Sequence, residues 1–101
     1  MSPFFALISN LVFGSSYPKD KEAVLLGLTQ TIMALLAEDI RSLNFWERPA
    51  QVSELEGKIR RVIILSKDAD LRSKTDVIVT EVLALARRRE NDILNKNSGE
   101  H

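Results

Sequence analysis

Cysteine is absent from this chain of 101 residues, and its one histidine is the final residue. The missing thiols exclude disulfides, thiol catalysis and cysteine-ligated metal sites. A lone terminal histidine leaves no ligand set for His-bound zinc and no general base of that type. Most familiar active sites are therefore excluded.

Neither sign of charge is in excess, because 14 lysines and arginines balance 14 aspartates and glutamates. Without a basic excess, the chain has no overall field that would collect nucleic acid or anionic lipid. Any such contact would have to come from a local patch.

A long apolar run is also missing, since no segment approaches the roughly 20 apolar residues of a membrane span. Residues 1–18 carry no charged side chain, but they lack the cationic start of a signal peptide and Asn10 interrupts their apolar stretch. We therefore expect a cytoplasmic chain with no membrane partner.

What the sequence does contain is apolar residues spaced three and four apart in four stretches, the pattern of amphipathic helices. The stretches run from Ser2 to Gly14, from near Pro18 to Leu43, from about Pro49 to Leu65, and from Ser73 to about Ile93. The prediction is an all-α fold, a compact bundle of about four helices, in a single domain spanning 1–101. Residues 95–101 are expected to form a frayed tail.

Local signals refine this prediction. Ser73-x-x-Asp76 resembles a capping box for the last helix, and residues 66–72 are predicted to form a polar connection. Gly57 lies inside the third helix, where glycine is costly, so we expect close packing against a neighbour. Glu54–Lys58 and Glu56–Arg60 have the spacing of ion pairs one helical turn apart.

Two segments rich in β-branched residues, 61–65 and 77–82, favour strands when taken alone. Helical spacing continues on both sides of each segment, and the glycine and proline boundaries of short strands are missing. We predict helix at both places.

No arrangement of residues predicts catalysis or a cofactor. Glu38 and Asp39 are adjacent on a helix, so their side chains point about 100° apart and cannot easily share a proton or a metal ion. We expect both to lie on a solvated face. The loop Lys67-Asp68-Ala69-Asp70 suggests calcium, but it lacks the glycine and the downstream glutamate of an EF-hand. The four glycines are widely separated and form no phosphate-binding loop.

Five residues are candidates for an interaction surface: Phe45, Trp46, Arg87, Arg88 and Arg89. The arginines can contact phosphates, or they can complement the helix dipole and pair with neighbouring carboxylates. The aromatic pair can be an interface hot spot, or it can close the core at a helix junction. The uncharged first helix should be buried, either within the domain or against a partner.

Several segments follow a pattern seen in a known family: Ser2–Phe5, Phe13-Gly14, Asn44–Pro49, Leu55, Gly57, Ile59, Ile64–Ser66, Ala86–Arg89 and Ile93-Leu94. Together they resemble the end of the R subunit of type I restriction enzymes. In that family a Phe-Trp-x-x-Pro phrase leads into a helix with a Leu-Ser step at its end, and a final helix closes with an alanine and basic residues. The run Arg87 to Glu90 is a departure, since it has three basic residues and then an acidic one, whereas a histidine is expected after the basic pair.

The resemblance implies a C-terminal helical fragment of a larger subunit with an endonuclease domain and two helicase-like ATPase domains. It also implies that the fragment helps to dock this motor to a core of methyltransferase and specificity subunits. The parent would cut and translocate DNA with ATP and Mg²⁺, and none of its catalytic motifs falls on this sequence. The alternative is a freestanding helical adaptor or small regulator that self-associates through its apolar first helix.

An enzyme in its own right is the weakest of these hypotheses, because the sequence has no nucleophile with a paired base and no metal cluster. We therefore predict that the purified chain neither hydrolyses ATP nor cleaves DNA. Phosphate release and plasmid cleavage should be followed with Mg²⁺ present, and turnover that survives stringent purification would show the prediction to be wrong.

Overall fold

The computed structural model describes residues 3–90 and residue 93, and the predicted all-α fold is confirmed in this part of the chain. Its α-helices are α1 (Pro3–Phe13), α2 (Glu22–Asp39), α3 (Pro49–Leu65), α4 (Ala69–Ser73) and α5 (Thr75–Arg88). Short 3₁₀ helices, Lys19–Lys21 and Phe45–Glu47, precede α2 and α3. Four helices are long and α4 has only five residues, so the predicted bundle of about four helices is confirmed and α4 is an addition to it.

No strand occurs in residues 3–90, and the β-branched segments 61–65 and 77–82 lie in α3 and α5. Each segment places part of its apolar side chains on the buried face of its helix, including Ile63, Ile78 and Val82. Tertiary burial therefore overrides the local strand preference.

The four long helices are arranged so that each has two main neighbours. α1 packs against α2 and α5, and α3 packs against the same two helices from the other side. The Cα radius of gyration is 13.4 Å, close to the roughly 13 Å expected of a folded chain of this length. In the described part of the chain, no helix has both the length and the apolar character that crossing a membrane requires.

Every α-helix contributes side chains to the core. Side chains with at most 1% exposure include Phe4, Ile8, Leu25, Ile32, Leu36, Ile40, Leu55, Ile59, Ile63, Leu71, Ile78, Val82 and Ala86. The apolar side chains of α1 are therefore buried within the domain, which is one of the two places predicted for them. Ile93 is also buried, whereas Ser2 and the predicted tail 95–101 lie outside the described residues.

Gly14 ends α1 as predicted, and its backbone shows why glycine is there. Its φ is +81°, in the left-handed region that residues with a Cβ rarely adopt. Its N–H donates to the Asn10 carbonyl oxygen at 3.0 Å, which satisfies one of the last carbonyls of the helix.

α2 is shorter than predicted and does not reach Leu43. The helix ends at Asp39, the chain then turns, and Asn44 adopts the left-handed conformation with φ of +58°. Leu43, predicted to lie on the inner stripe, is 76% exposed as a result. A left-handed residue reverses the chain direction, and apolar spacing alone does not report it.

The predicted polar connection at residues 66–72 is only partly correct, because α4 occupies its second half. Lys67 follows the end of α3 and has a left-handed backbone, with φ of +60°. Asp68 then caps α4, because its carboxylate accepts a hydrogen bond from the Leu71 N–H at 3.1 Å. Leu71 itself is fully buried. One apolar residue among polar neighbours thus fixes a helical turn against the core.

The capping-box prediction was wrong. Ser73 is the last residue of α4, and its hydroxyl donates to the Asp70 carbonyl oxygen at 2.8 Å. Lys74 stands at the N-cap of α5 and offers no side-chain cap. Because α4 runs almost directly into α5, Ser73 lacks the extended backbone that a capping serine needs.

The expected close packing at Gly57 was also wrong. A Cβ built on Gly57 would meet nothing within 4 Å, and the same holds for Gly27 in α2. Both positions are exposed and helical. Neither glycine is therefore required by space or by backbone conformation.

We predict that Gly57→Ala raises the free energy of unfolding by about 1 kcal/mol, because alanine loses less backbone entropy in a helix. Gly27→Ala should act in the same direction. Gly14→Ala is the matched control and should lower stability by about 1 kcal/mol, since it forces a Cβ into the left-handed region. Urea titrations followed by circular dichroism measure all three. If Gly57→Ala lowers stability instead, the space beside Gly57 is not open, and the prediction is wrong.

Candidate interaction surface

The connection between α2 and α3 carries the predicted aromatic pair to the end of α5. Asn44 turns the chain, and the 3₁₀ helix Phe45–Glu47 then presents two successive rings in different directions. The ring of Phe45 contacts that of Trp46 edge to face, with 5.0 Å between centroids. Phe45 is 2% exposed, which corrects its prediction as a surface residue: it closes the core, as the alternative interpretation held.

Trp46 lies at the boundary between core and solvent. Its ring packs against the core cluster, but the residue remains half-buried. Its Nε1–H is buried and has no acceptor among the described residues.

Arg87 covers the face of this indole. Its guanidinium carbon lies 5.8 Å from the centroid of the Trp46 ring, within the range of a cation–π contact. Arg87 makes no ion pair with any carboxylate of residues 3–90. The sequence predicted Trp46 and Arg87 as separate candidates, and the structure brings them together.

Arg88 and Arg89 follow on the same helix end. Both are exposed, and Arg89 is the C-cap of α5, where its N–H donates to the Leu85 carbonyl oxygen at 3.0 Å. Positive charge is favourable here because the carbonyl end of a helix carries partial negative charge. Dipole complementation is thus consistent with their placement, and only Arg87 has an observed contact with the indole.

A shallow groove runs beside the indole along the turn that follows α2. Its lining includes Arg41, Leu43, Trp46, Glu47 and Glu90. Leu43 is the most exposed large apolar side chain of the described chain. Sequence reasoning missed it, because its place on the helical stripe predicted burial.

We call Leu43, Trp46 and Arg87, with the groove that Leu43 and Trp46 line, the tryptophan corner. It combines an exposed aliphatic side chain, a half-buried indole and a cation held against that indole. Arg and Trp are the residues most enriched at the energetic centres of protein interfaces. The corner has the composition of a docking surface.

The acidic loop considered for calcium is part of a clamp between two chain segments. Asp68 accepts a hydrogen bond from the Lys21 ammonium at 2.6 Å, and the Asp70 carboxylate lies 3.8 Å from the same nitrogen. The hydrogen bond from Lys21 holds the pKa of the Asp68 carboxyl below its ordinary value of 3.8, and the Leu71 N–H acts in the same direction. The same bond raises the pKa of Lys21 above 10.5.

The predicted ion pairs within α3 are replaced by pairs to other helices. Lys58 binds Asp39 at the end of α2, at 3.0 Å, and this hydrogen bond raises the lysine pKa. Arg60 binds Asp76 in the first turn of α5. These contacts connect α3 to both of its neighbours. Asp39 was predicted to lie on a solvated face, but its carboxylate is paired with Lys58.

No family model, curated protein or solved structure matches the chain. The resemblance to the type I R subunit rests on residues alone, and Asn44–Pro49 and Ala86–Arg89 are two of the segments on which it rests. These two segments, distant in sequence, meet at the tryptophan corner through Trp46 and Arg87.

The clamp at Asp68 predicts a pH-dependent contribution to stability. Asp68→Asn keeps an acceptor for the Leu71 N–H but loses the charge that binds Lys21, whereas Asp68→Ala also loses the cap, at about 1 kcal/mol. Because the pKa of Asp68 is depressed in the folded state, its contribution is present above about pH 3.8 and is lost as the pH falls further. The raised pKa of Lys21 means that the contribution also disappears as the pH rises beyond 10.5.

Urea titrations between acid and neutral pH test this prediction. The stability gap between the parent chain and Asp68→Asn should be widest near neutrality and should close in acid. Asp70→Asn is the control, since Asp70 is exposed and lies farther from Lys21. A gap that stays constant from neutral to strongly acid pH would show that the charge of Asp68 contributes nothing.

Proposed function

We propose that the chain is a non-catalytic helical assembly domain of a type I restriction endonuclease R subunit. In this proposal it docks the ATP-dependent translocase and nuclease to the methyltransferase core. One observation supports docking above the others: the tryptophan corner, where Arg87 lies over Trp46 beside the exposed Leu43. The family assignment rests on the sequence resemblance, whose segments supply Trp46 and Arg87.

The energetics of the corner favour binding over a purely structural role. Leu43 adds nothing to the core at 76% exposure, and apolar surface of this kind is stabilised when a partner removes it from water. The contact with the indole limits the freedom of the Arg87 side chain before any partner arrives. Less entropy is then lost on binding.

In the proposed complex, ATP and Mg²⁺ are bound and DNA is cut by other domains of the parent subunit. The role of this chain is to hold the methyltransferase and specificity subunits close to the motor. DNA reaches it only as part of the whole complex. Each of these statements follows from the proposed family and is tested with it.

The alternative, a freestanding adaptor that self-associates through α1, has less support. Its proposed interface would use the apolar side chains of α1, yet Phe4, Phe5 and Ile8 are at most 2% exposed and pack within the domain. A second copy would have to displace α2 or α5 to reach them. Genomic context also separates the two hypotheses, because an R-subunit fragment belongs to a long reading frame beside methyltransferase and specificity genes.

We predict that neutralising three arginines together (Arg87→Gln, Arg88→Gln and Arg89→Gln) lowers the rate constant for association with a methyltransferase core. The same triple variant should make that rate constant less dependent on salt concentration. Exposed charges steer encounter more than they hold the complex. Trp46→Ala should instead speed dissociation or lower stability, by about 2 kcal/mol if the indole is an anchor. Biosensor kinetics at several salt concentrations distinguish these effects, with thermal melts of each variant.

Arg72→Gln is the matched control, because Arg72 is exposed and precedes α5, at the opposite end of that helix from Arg87. It should bind the core like the parent chain. If the triple variant and Trp46→Ala both remain folded and also bind like the parent chain, the docking surface lies elsewhere and these residue roles are wrong.

A further inference from the structure

The outward side of α2 differs from the outward sides of α3 and α5. Residues 23–37 of this helix contain no charged side chain. By contrast, the exposed sides of α3 and α5 carry charged residues such as Glu54, Arg61 and Glu81. A helix that lacks a charged face is usually covered on all sides, because water solvates it poorly. α1 and α3 pack against α2 from the core side, and one side of α2 remains open to solvent.

We call this open side the α2 face. Its residues follow helical spacing and are all exposed: Ala23, Leu26, Gly27, Gln30, Thr31 and Ala34. The Thr31 hydroxyl donates to the Gly27 carbonyl oxygen at 2.9 Å, so it needs no hydrogen bond from outside the helix. At the edge of the face, Leu65 of α3 is 66% exposed and lines a groove with Gly27 and Thr31. The apolar surface thus extends from α2 to the end of α3.

The α2 face is complementary to itself when two copies are related by a two-fold axis. In an antiparallel pair whose axis passes between residues 28 and 29, Gly27 of one copy lies level with Gln30 of the other. The long amide side chain then meets bare backbone, where a Cβ on Gly27 would find nothing within 4 Å. The remaining level pairs are Leu26 with Thr31 and Ala23 with Ala34.

Charges at the two ends of the α2 face favour the antiparallel orientation. The exposed charged residues are Lys19, Asp20 and Glu22 before the face and Glu38 and Arg41 after it. Antiparallel pairing brings Lys19 to the level of Glu38 of the second copy. It also sets the positive end of each helix dipole beside the negative end of the other. Parallel pairing would instead gather Asp20 and Glu22 of both copies at one end.

We propose that the α2 face is a homodimer interface, through which two copies of this chain pack with their α2 helices antiparallel. The surface shares no residue with the tryptophan corner, and the proposal does not depend on the docking function. It also differs from self-association through α1, whose apolar side chains are buried within the domain.

The size of the face sets the strength of the dimer. A stable interface buries about 800 Å² per partner, whereas the whole chain exposes 6151 Å². A strip from Ala23 to Ala34 is about 17 Å long and one helix, or about 10 Å, wide. Even with Leu65 added, this area is below that of a permanent dimer. The dimer is therefore reversible and forms at high protein concentration.

The first test measures self-association of charged variants of Gln30 by sedimentation equilibrium. The full chain is followed from about 10 µM to about 1 mM, the range in which a weak dimer dissociates. Gln30→Glu and Gln30→Lys are measured separately and then as an equimolar mixture. Thr80→Glu and Thr80→Lys are the matched controls, because Thr80 is exposed on α5. Circular dichroism checks folding, and Gln, Glu and Lys have similar helix propensities.

We expect the parent chain to dimerise and each Gln30 variant alone to bind itself about tenfold or more weakly. The two Gln30 positions lie within about one helical turn of each other across the axis, so like charges there repel. The equimolar mixture should associate about tenfold or more tightly than either Gln30 variant alone, because the charges then have opposite signs. Both Thr80 variants should dimerise like the parent chain.

The second test determines orientation with single cysteines, which the absence of native cysteine makes possible. Ala23→Cys and Ala34→Cys are mixed under mild oxidation. The expected product is the mixed disulfide, because positions 23 and 34 lie level in the antiparallel pair. Two copies of position 23 are about 16 Å apart along the helices, beyond the reach of a disulfide.

Four results would overturn the inference. They are a parent chain that stays monomeric up to about 1 mM, Gln30 variants that dimerise like the Thr80 controls, a Gln30 mixture that associates no better than its components, and disulfides that join position 23 to 23 as readily as 23 to 34. The third result would mean that the α2 face meets something other than a second copy. Binding of the methyltransferase core is tested separately, and its outcome does not bear on this inference.

Discussion

The burial of the uncharged helix α1 is the constraint on which the rest of the fold depends. A helix with so many apolar side chains has no face that water solvates well, so it must be covered. α2 covers it on one side and α5 on the other, and this packing buries Phe4, Phe5 and Ile8. Once α1 separates α2 from α5, α3 can contact both only from the opposite side. The same arrangement brings the end of α5 to the turn that follows α2, which is where Arg87 meets Trp46.

Ion pairs orient the bundle more than they stabilise it. Lys58–Asp39 and Arg60–Asp76 connect α3 to its two neighbours, but both basic side chains are exposed, and exposed pairs contribute little to stability. Burial of apolar side chains supplies the main driving force, and it is nearly indifferent to small rotations of a helix about its axis. The directional contacts of Lys58 and Arg60, made from within α3 to a different neighbour each, limit that freedom. Charge therefore selects among packings that burial alone would allow.

The sequence was sufficient for the helices and insufficient for the turns. Spacing of three and four identified α1, α2, α3 and α5, because that pattern reports burial along a continuous helix. It did not identify the left-handed residues Asn44 and Lys67, whose conformations depend on where the chain must go next. These two residues account for two of the main errors, the exposed Leu43 and the unpredicted α4.

The candidate site shows the same division. The sequence made Trp46 a candidate because tryptophan is enriched at interfaces, and Arg87 a candidate because it belongs to a basic cluster. The spacing of apolar residues did not predict that Phe45 is buried while Trp46 is only half-buried. The directions of these two side chains are set by the single 3₁₀ turn to which both belong. The spacing also could not predict a contact between residues so distant in sequence, which exists only after α5 has packed against α1 and α3.

The identity of residue 46 matters for how the end of α5 meets the turn that follows α2. A phenylalanine would fill the same place without a buried N–H, for which the described residues offer no acceptor. It would attract a cation less well, since indole is the strongest cation–π acceptor among the side chains. Trp46 thus adds to its packing against the core a contact with the Arg87 guanidinium, whose carbon lies 5.8 Å from the ring centroid.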